Sequence, residues 1–327
     1  MFNDVTIIGG LPKPIGGVTT FVRRLVCSEP RRFAAIVDFY SVPDKDIPPV
    51  FLGDYYAFSK IGFFVRFCFF SAWRNRNCFF NFSRTFSLLF FLLWRKGEGE
   101  CRLLLHHGDL QSRLPKFVLC KIFRKFDVIY YLNESQKQFY DEVGVGLNLV
   151  ETKSYVPPRL LAPIDEVVEL VSNFRSRYEF VYVCSGFPRD YYNLRWCIEA
   201  VSAYSDSCLL VFLYGDGELK SEFMDLVADN IFVFDGCSED FFNSAISLSD
   251  FYLRPSSKDS FGVAVADAIE LGCTVIASDV CPRYQGSYLF RTGDKNEFFS
   301  LVDALRIPPS PDSVLRRATS VVSPFKL

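Results

Sequence analysis

Short apolar runs alternate with helix-like segments along most of this 327-residue chain. The runs are rich in β-branched and aliphatic residues, which predicts strands, and the segments between them repeat apolar residues at a helical period. Strands that alternate with helices form parallel sheets, because each crossover returns the chain to the same end of the sheet. We therefore predict an α/β fold with strands at residues 5–8, 34–38, 103–105, 128–132, 180–184, 209–214, 231–234, 251–254 and 275–277.

A proline-rich stretch at residues 154–163 separates the two sets of predicted strands. Prolines fix φ and disfavour helix, so this stretch reads as an extended connection. We place the domain boundary there, with a first domain at 1–156 and a second at 157–310, each long enough to bury a core. We expect residues 311–327 to form a tail that packs back on the first domain.

Composition excludes several classes of function. The net charge of −2 argues against nucleic acid as a partner, because phosphate-binding surfaces need a basic excess. Eleven dispersed cysteines without CxxC spacing, and no secretory pattern at the start of the sequence, predict reduced thiols in a cytoplasmic protein. Two histidines are too few for a multi-histidine metal centre.

Two aspartates, Asp259 and Asp267, stand eight positions apart around a predicted helix of small, apolar residues. If the helix begins near Ser260, both acids project toward roughly the same side. A helix this apolar should be buried. Burying Asp267 without a hydrogen-bond partner would lower the stability of the fold by roughly several kcal/mol. Hydroxyls of a bound ligand would satisfy it. The alternative is a core helix with one isolated polar residue.

The stretch from Arg254 to Gly272 resembles the signature of retaining GT-B glycosyltransferases, in particular the "group 1" (glycosyltransferase family 4-like) family, which uses nucleotide-sugars. The family has two Glu at the acidic positions, with Phe-Gly after the first. Here Phe261-Gly262 follows the first acid, but both acids are Asp. The resemblance implies two Rossmann-like domains with parallel sheets facing across a cleft, the second binding the donor and the first the acceptor.

Three glycine-containing turns match further motifs of the family. Gly16 and Gly17 lie between the first strand and a helix, where a backbone without Cβ atoms can approach a phosphate. Gly215 lies in a Tyr-Gly-Asp-Gly turn, and Cys237 follows the next strand. The resemblance implies that the Gly16-Gly17 backbone faces the donor diphosphate and that the Cys237 loop reads the nucleobase.

The chain departs from the family where an Arg/Lys pair usually holds the diphosphate. Phe187 and Tyr192 occupy those two places. A departing diphosphate gains charge in the transition state, so some cation is needed. Arg189 is the nearest substitute, and Lys258 and Arg254 are further candidates. The alternative for Arg189 is a solvated loop charge.

Both histidines of the chain, His106 and His107, end one predicted strand. Adjacent strand residues point to opposite faces, so at most one faces a ligand. The family has a His followed by Gly near the donor sugar, which His107 matches; helix capping or core packing is the alternative. The resemblance implies that Asp259 binds hydroxyls of the transferred sugar and Asp267 the ribose, in a donor site formed by Asp267, Gly16, Gly17, Arg189, Lys258, Ser260, Phe261, Gly262, Gly215 and Cys237.

Residues 58–96 contain seven Lys or Arg, no acid, twelve Phe and two Trp. The longest uncharged run in it is too short to span a bilayer. We therefore expect an amphipathic anchor whose aromatic side chains enter the interface of an anionic membrane. The alternatives are core helices with a basic exposed face, or the interface of a homo-oligomer.

The resemblance implies a hexosyltransferase that retains anomeric configuration and needs no metal. Its co-substrate would be a UDP- or GDP-linked sugar and its acceptor a glycan or lipid-linked hydroxyl. This fits bacterial polysaccharide or glycolipid synthesis in the cytoplasm, with the enzyme peripheral on the inner face of the cell membrane. Two other functions remain open: a nucleotide-sugar epimerase, and a catalytically silent partner subunit with the same fold.

Overall fold

A computed structural model of the protein forms two compact units, Met1–Arg159 with Ser323–Leu327 and Leu160–Val322. The structure describes residues 5–12, 17–40, 45–69, 75–83, 85–107, 110–112, 114–144, 146–159, 162–215, 217–226, 229–259, 261–306, 316–318 and 325. In this part of the chain, no helix is long and apolar enough to cross a membrane.

The first unit contains a seven-stranded parallel sheet in the order β3-β2-β1-β4-β5-β6-β7. The strands are β1 (Val5–Gly9), β2 (Phe33–Asp38), β3 (Asp54–Ala57), β4 (Asn77–Phe82), β5 (Cys101–Leu105), β6 (Val128–Tyr131) and β7 (Leu149–Glu151). The helical segments are α1 (Gly17–Ser28), α2 (Lys60–Phe69), a 3-10 helix (Thr85–Leu92), α3 (Lys116–Phe123) and α4 (Glu134–Val143). The strand order reverses between β1 and β4.

Two hydrophobic clusters cover the faces of this sheet. On one face, α1 packs through residues such as Phe21 and Leu25 against Ile7 and Phe79. On the other face, α2, the 3-10 helix, α3 and α4 contribute to one continuous cluster. Such covering of both faces is what a parallel sheet requires.

The second unit contains a six-stranded parallel sheet in the order β10-β9-β8-β11-β12-β13. Its strands are β8 (Phe180–Gly186), β9 (Ser207–Leu213), β10 (Ile231–Asp235), β11 (Phe251–Arg254), β12 (Thr274–Ser278) and β13 (Tyr288–Phe290). Its helices are α5 (Asp165–Arg175), α6 (Leu194–Ser202), α7 (Lys220–Met224), α8 (Glu239–Ser247), α9 (Val263–Glu270) and α10 (Lys295–Arg306). The order reverses between β8 and β11.

The predicted α/β class with parallel sheets is confirmed, and each predicted strand coincides with an observed one. Four strands were not predicted: β3, β4, β7 and β13. The omission of β4 matters most, because it lies at the centre of the first sheet. A strand buried on both faces shows no alternation of polar and apolar residues, and β4 stands inside a long aromatic segment that masks its ends.

The expectation that the aromatic side chains of residues 58–96 enter a membrane interface is wrong for most of those that the structure describes. These side chains form the core between the helices and the first sheet, where they contact one another edge to face and obliquely. Eight are buried: Phe63, Phe67, Phe79, Phe80, Phe82, Phe90, Phe91 and Trp94. The aromatic composition therefore reflects an aromatic core. Trp73 lies outside the described residues.

Two parts of the chain beyond α10 are described, and they belong to different units. Residues 316–318 bond to the backbone beside β13, including an antiparallel bridge between Arg317 and Tyr288. Phe325 is buried in the first unit, where its ring stacks on Phe79 and its amide donates to the carbonyl of Tyr155 at 2.9 Å. The first unit therefore uses a side chain from the far end of the sequence.

We expect Phe325→Ala to lower the free energy of unfolding of the first unit by about 3 kcal/mol or more, because it removes a buried ring from a packed cluster. Urea titration followed by tryptophan fluorescence measures this. The control is Phe117→Ala, which removes the same group from a side chain that is 75% exposed; its effect should stay within about 0.5 kcal/mol. Equal effects of the two substitutions would contradict the assigned packing.

Candidate active site

The strand ends at the reversal between β8 and β11 carry the densest group of buried polar side chains in the second unit. Open parallel sheets bind ligands beyond the carboxyl ends of their strands, at the point where strand order reverses. Here β8 ends at Gly186 and β11 ends at Arg254. The loops that follow supply most of the residues singled out from the sequence.

Arg254 joins the two strands at this point. Its Nη1 donates to the carbonyl oxygen of Ser185 at 2.8 Å, and its Nε donates to Asp259 Oδ2 at 3.1 Å. The guanidinium carbon lies 4.6 Å from the centre of the Tyr192 ring. The side chain is buried, so three contacts of different kinds fix its position.

Arg283 approaches the same carboxylate from the loop after β12. Its Nη1 donates to Asp259 Oδ2 at 2.9 Å, so one oxygen accepts from two guanidinium groups. Its Nε donates to the carbonyl of Ser278 at 2.8 Å, and its Nη2 donates to the hydroxyls of Ser256 and Ser278 at 3.2 and 3.1 Å. The arginine is buried, and each of its nitrogens has an acceptor.

This cluster of two arginines and one aspartate carries a net positive charge. Burial acts to raise the pKa of Asp259, but Arg254 and Arg283 outweigh it and hold the pKa below its ordinary value. Burial likewise acts to lower the pKa of Arg254, and Asp259 more than reverses this. All three groups are therefore charged at neutral pH, and the unbalanced cation lies at the strand ends.

Gly262 allows this arrangement. Its φ is +76°, in the left-handed region that favours glycine, and a Cβ built there would collide with Arg283 Nη1. Helix α9 begins only at Val263, so Asp259 lies in the loop before it. The prediction that the helix begins near residue 260 is wrong, because the positive φ at Gly262 interrupts it. The two acids do not share a helix face.

The two aromatic residues in place of the family's cations pack against glycines. A Cβ at Gly215 would collide with the Phe187 ring, and a Cβ at Gly186 would collide with the Tyr192 ring. Tyr192 also lies between Gly186 and the guanidinium of Arg254. Gly186 at the end of β8 and Gly215 just after β9 therefore each leave space for an aromatic ring.

Asp267 is buried on α9, with 2% of its surface exposed. It lies within electrostatic range of the Tyr214 hydroxyl at the end of β9. Burial raises the pKa of Tyr214, and four neighbours raise it further: Tyr252, Cys237, Glu239 and Asp267. Asp267 and Cys237 therefore both belong to the electrostatic surroundings of this tyrosine. Burial also raises the pKa of Cys237.

The remaining predicted residues of the second unit lie in the loops around this cluster. Arg189 and Lys258 are exposed, and Phe261 is half-buried. Gly215 has a φ of +63°, which suits the predicted turn. Ser260 lies outside the described residues.

In the first unit, Gly17 is the exposed first residue of α1, and Gly16 lies outside the described residues. His107 is exposed after β5, and its carbonyl accepts from the buried Gln136 Nε2 at 2.8 Å. His106 is half-buried, with Nε2 3.3 Å from Asn81 Oδ1, and burial lowers its pKa to about 3. His106 is therefore neutral at physiological pH. Both residues lie just beyond the end of β5, and their side chains differ in burial.

The loop after β1 is fixed by Asp38, a buried residue at the end of β2. Its Oδ2 accepts from the Leu11 amide at 3.0 Å and from the Tyr55 hydroxyl at 3.1 Å, and it pairs with Lys45 Nζ at 3.1 Å. Its Oδ1 accepts from the Tyr40 amide at 2.7 Å. Asp38 is thus a structural residue of the first unit. Among the described residues, no group of three or more His, Cys, Asp or Glu could hold a metal ion.

Residues 177–306, which contain this whole cluster, match the family described as "Glycosyl transferases group 1". Over these residues, the second unit is similar to that family. No curated protein matches the chain in sequence.

Known structures resemble the whole chain, although their sequences are distant. Sucrose-phosphate synthase from Thermosynechococcus elongatus has a TM-score of 0.62 at 12% identity, over 94% of this chain and 90% of that one. Anabaena HepE in complex with UDP-glucose has a TM-score of 0.68 at 9% identity, over 93% and 90%. Trehalose 6-phosphate synthase from Burkholderia multivorans has a TM-score of 0.65 at 7% identity, over 94% and 91%. The two parallel-sheet domains match the GT-B fold.

Arg283 is the main residue of this cluster that the sequence did not reveal. It follows β12 in a Cys-Pro-Arg-Tyr stretch, at the strand end where ligand-binding loops are expected. A basic residue at that place is the signal that points to it. Tyr214 belongs to the Tyr-Gly-Asp-Gly turn, and its position directly after the buried strand β9 is equally informative.

We expect Asp259→Asn to lower the free energy of unfolding of the second unit by about 2–4 kcal/mol, because it leaves two buried guanidiniums without a counter-charge. Since the native pKa of Asp259 is depressed, the unfolded state takes up its proton first. The difference between wild type and variant should therefore be full above about pH 4 and shrink as the pH falls through the native pKa. Urea titrations across this range measure it.

The matched control is Asp190→Asn, an exposed carboxylate in the neighbouring loop. It should change stability by less than about 0.5 kcal/mol at any of these pH values. A difference between Asp259→Asn and wild type that does not depend on pH would refute the ion-pair explanation.

Proposed function

We propose that this protein is a glycosyltransferase that moves a sugar from a nucleotide-sugar donor to an acceptor hydroxyl. The observation that carries the proposal is the coincidence of the group 1 glycosyltransferase match with a buried, net positive cluster at the strand-order reversal of the same unit. The similarity to HepE, whose structure contains UDP-glucose, supports a nucleotide-sugar as the donor.

Arg254 is the residue that we propose for the charge of the donor diphosphate. Arg254 would take the role of the family's Arg/Lys pair, because Phe187 and Tyr192 occupy the two positions of that pair here. Its contacts with Ser185 and Asp259 hold the guanidinium in place before any ligand arrives, and preorganised charge is what stabilises a departing anion most effectively. The exposed Arg189 and Lys258 would add weaker, solvent-screened attraction from the flanking loops.

Asp259 then has two roles in the proposal. It orients Arg254 through Oδ2, and it accepts hydrogen bonds from hydroxyls of the transferred sugar. Its Oδ2 accepts from Arg254, from Arg283 and from the Ser256 hydroxyl at 3.4 Å, and a carboxylate offers about four lone-pair sites in all.

Asp267 is proposed to bind the ribose, because it stands eight positions after Asp259 at the place of the second acid of the motif. Gly215 and the Cys237 loop would line the nucleotide, with Ser260, Phe261 and Gly262 beside the sugar. From the first unit, the Gly16-Gly17 backbone would contribute amides toward the diphosphate and His107 a hydrogen bond near the sugar. Helix α1 begins at Gly17, which supports an anion-binding role for that backbone.

The proposed reaction transfers a hexose with retention of configuration and without a metal. The acceptor oxygen attacks the anomeric carbon from the face that the diphosphate leaves, through an oxocarbenium-like state. The C–O bond to the diphosphate breaks, the bond to the acceptor forms, and a donor phosphate oxygen takes the acceptor proton. Positioning and charge stabilisation would supply most of the acceleration.

We further propose a glycan or lipid-linked acceptor, in polysaccharide or glycolipid synthesis at the inner face of a bacterial membrane. An exposed basic surface on the first unit supports this.

A catalytically silent partner subunit is the second candidate, favoured by the aromatic residues at 187 and 192 and by the engagement of Asp259 with two arginines.

We expect Asp267→Asn to weaken the binding of UDP or GDP by about tenfold to a hundredfold, because a charged acceptor for the ribose becomes a neutral one. Isothermal titration calorimetry of both nucleotides measures this. The control is Glu270→Gln, which makes the same type of change at an exposed position of the same helix. Unchanged affinity in Asp267→Asn would remove the ribose role, and no binding of either nucleotide by wild type would favour the silent subunit.

We expect Arg254→Gln to weaken UDP binding by about a hundredfold while leaving the weaker binding of uridine unchanged, because only the diphosphate needs the cation. The ratio of the two affinities separates loss of charge from general damage to the site. Arg189→Gln serves as the control and should change the ratio by less than about threefold, since the side chain is solvated. An equal loss for UDP and uridine would exclude Arg254 as the diphosphate residue.

A further inference from the structure

The first unit presents exposed basic and apolar side chains on the outer surface of three neighbouring elements. α2, the 3-10 helix and α3 all pack on one face of the first sheet, and the 3-10 helix contacts both α2 and α3. Their outward surfaces therefore point away from the same face of the sheet. We call the exposed residues of these elements and of the turns that follow them the basic apolar surface.

The apolar part of this surface consists of side chains that the core does not use. Ile61 is 78% exposed, Phe117 is 75% exposed and Leu93 is 58% exposed, with Val65 and Leu92 beside them. An exposed Phe or Ile alone needs no explanation, but a group on adjoining elements marks an interaction surface. These residues differ from the buried aromatic residues of the same stretch, which hold the elements in place.

The charged part is mostly cationic, although Asp127, which follows the turn after α3, pairs with Lys96. The exposed cations are Lys60, Arg66, Arg95, Lys116, Lys121 and Arg124. Neither residues 58–96 nor residues 110–126 contain an acid, and together they hold twelve Lys and Arg in a chain whose net charge is −2. The surface ends at α4, which is acidic and whose Glu142 pairs with Lys116 at 3.2 Å.

Lys125 fixes the relation between two of these elements. Its Nζ donates to the carbonyl oxygen of Phe91, in the last turn of the 3-10 helix, and to that of Trp94, just beyond the helix. A residue just after α3 thus holds the turn that carries Leu93 and Arg95. The surface is built on packed elements and does not depend on a loop.

We propose that this basic apolar surface docks the protein on an anionic membrane, with Ile61, Leu93 and Phe117 entering the interface and the surrounding cations meeting lipid head groups. Anionic head groups attract each cation near the bilayer, and the apolar side chains fill the boundary with the acyl chains. A nucleic acid would leave the aliphatic side chains in water. A two-fold contact with a second copy would bring like charges together. The sequence predicted a membrane segment at residues 58–96. The proposal extends this segment to α3, and it assigns the membrane contact to exposed apolar and basic side chains in place of the buried aromatic residues.

Flotation of the full chain with vesicles tests the proposal and does not depend on glycosyl transfer. We expect wild type to float with vesicles of phosphatidylcholine and phosphatidylglycerol, to stay behind with phosphatidylcholine alone, and to be released by salt. The triple variant Ile61→Ser, Leu93→Ser, Phe117→Ser and the double variant Lys121→Ser, Arg124→Ser should each lower partitioning by roughly tenfold or more.

Two controls carry the same types of change elsewhere. The first is Val168→Ser with Met224→Ser, two exposed apolar residues of the second unit. The second is Arg31→Ser, an exposed cation that follows α1, and α1 packs on the opposite face of the first sheet. Both should float like wild type, and all variants should keep the wild-type melting temperature within a few degrees. Equal flotation of surface variants and controls, or no flotation of wild type, would overturn the proposal. So would a dimer, or an oligonucleotide complex, that the surface variants abolish while vesicle binding is absent.

Discussion

The second unit depends on one carboxylate oxygen that accepts from two buried guanidiniums. Asp259 Oδ2 lies 3.1 Å from Arg254 Nε and 2.9 Å from Arg283 Nη1. The end of β11, the loop after it and the loop after β12 therefore meet at a single atom. Removing three charges from water is costly, and mutual attraction repays it only when the other donors are also satisfied. Serine hydroxyls and backbone carbonyls complete that set. The geometry of the strand-order reversal is therefore set by electrostatics as much as by packing.

Sequence constraints that look unrelated follow from this arrangement. The Phe-Gly pair after the first acid is needed because Arg283 occupies the space of a Cβ at Gly262. The aromatic residues at 187 and 192 are compatible with a cationic site because the Tyr192 ring can lie against Arg254, and a π face attracts a guanidinium. Arg254, at the end of β11, therefore supplies a buried cation at this strand-order reversal.

The sequence predicted the architecture better than the arrangement of the site. Apolar runs and the periods between them located nine strands, because burial on a parallel sheet leaves a local signature. β4 has that composition too, but aromatic residues continue on both sides of it, so its first and last residues could not be located from the sequence. The partners of Asp259 could not be predicted, since Arg283 lies far along the chain and only the folded sheet brings β11 and β12 side by side. The basic stretch was recognised, but the distinction between core and exposed aromatic residues needs three dimensions.

Phe325 has a consequence for how the protein is made. Its ring completes the cluster of Phe21, Phe79 and Tyr130 in the first unit, yet the whole second unit is translated before it. On the ribosome, the first unit lacks one ring of its core while the second unit emerges. The nascent chain should therefore bind chaperones that shield apolar surface until Phe325 has emerged.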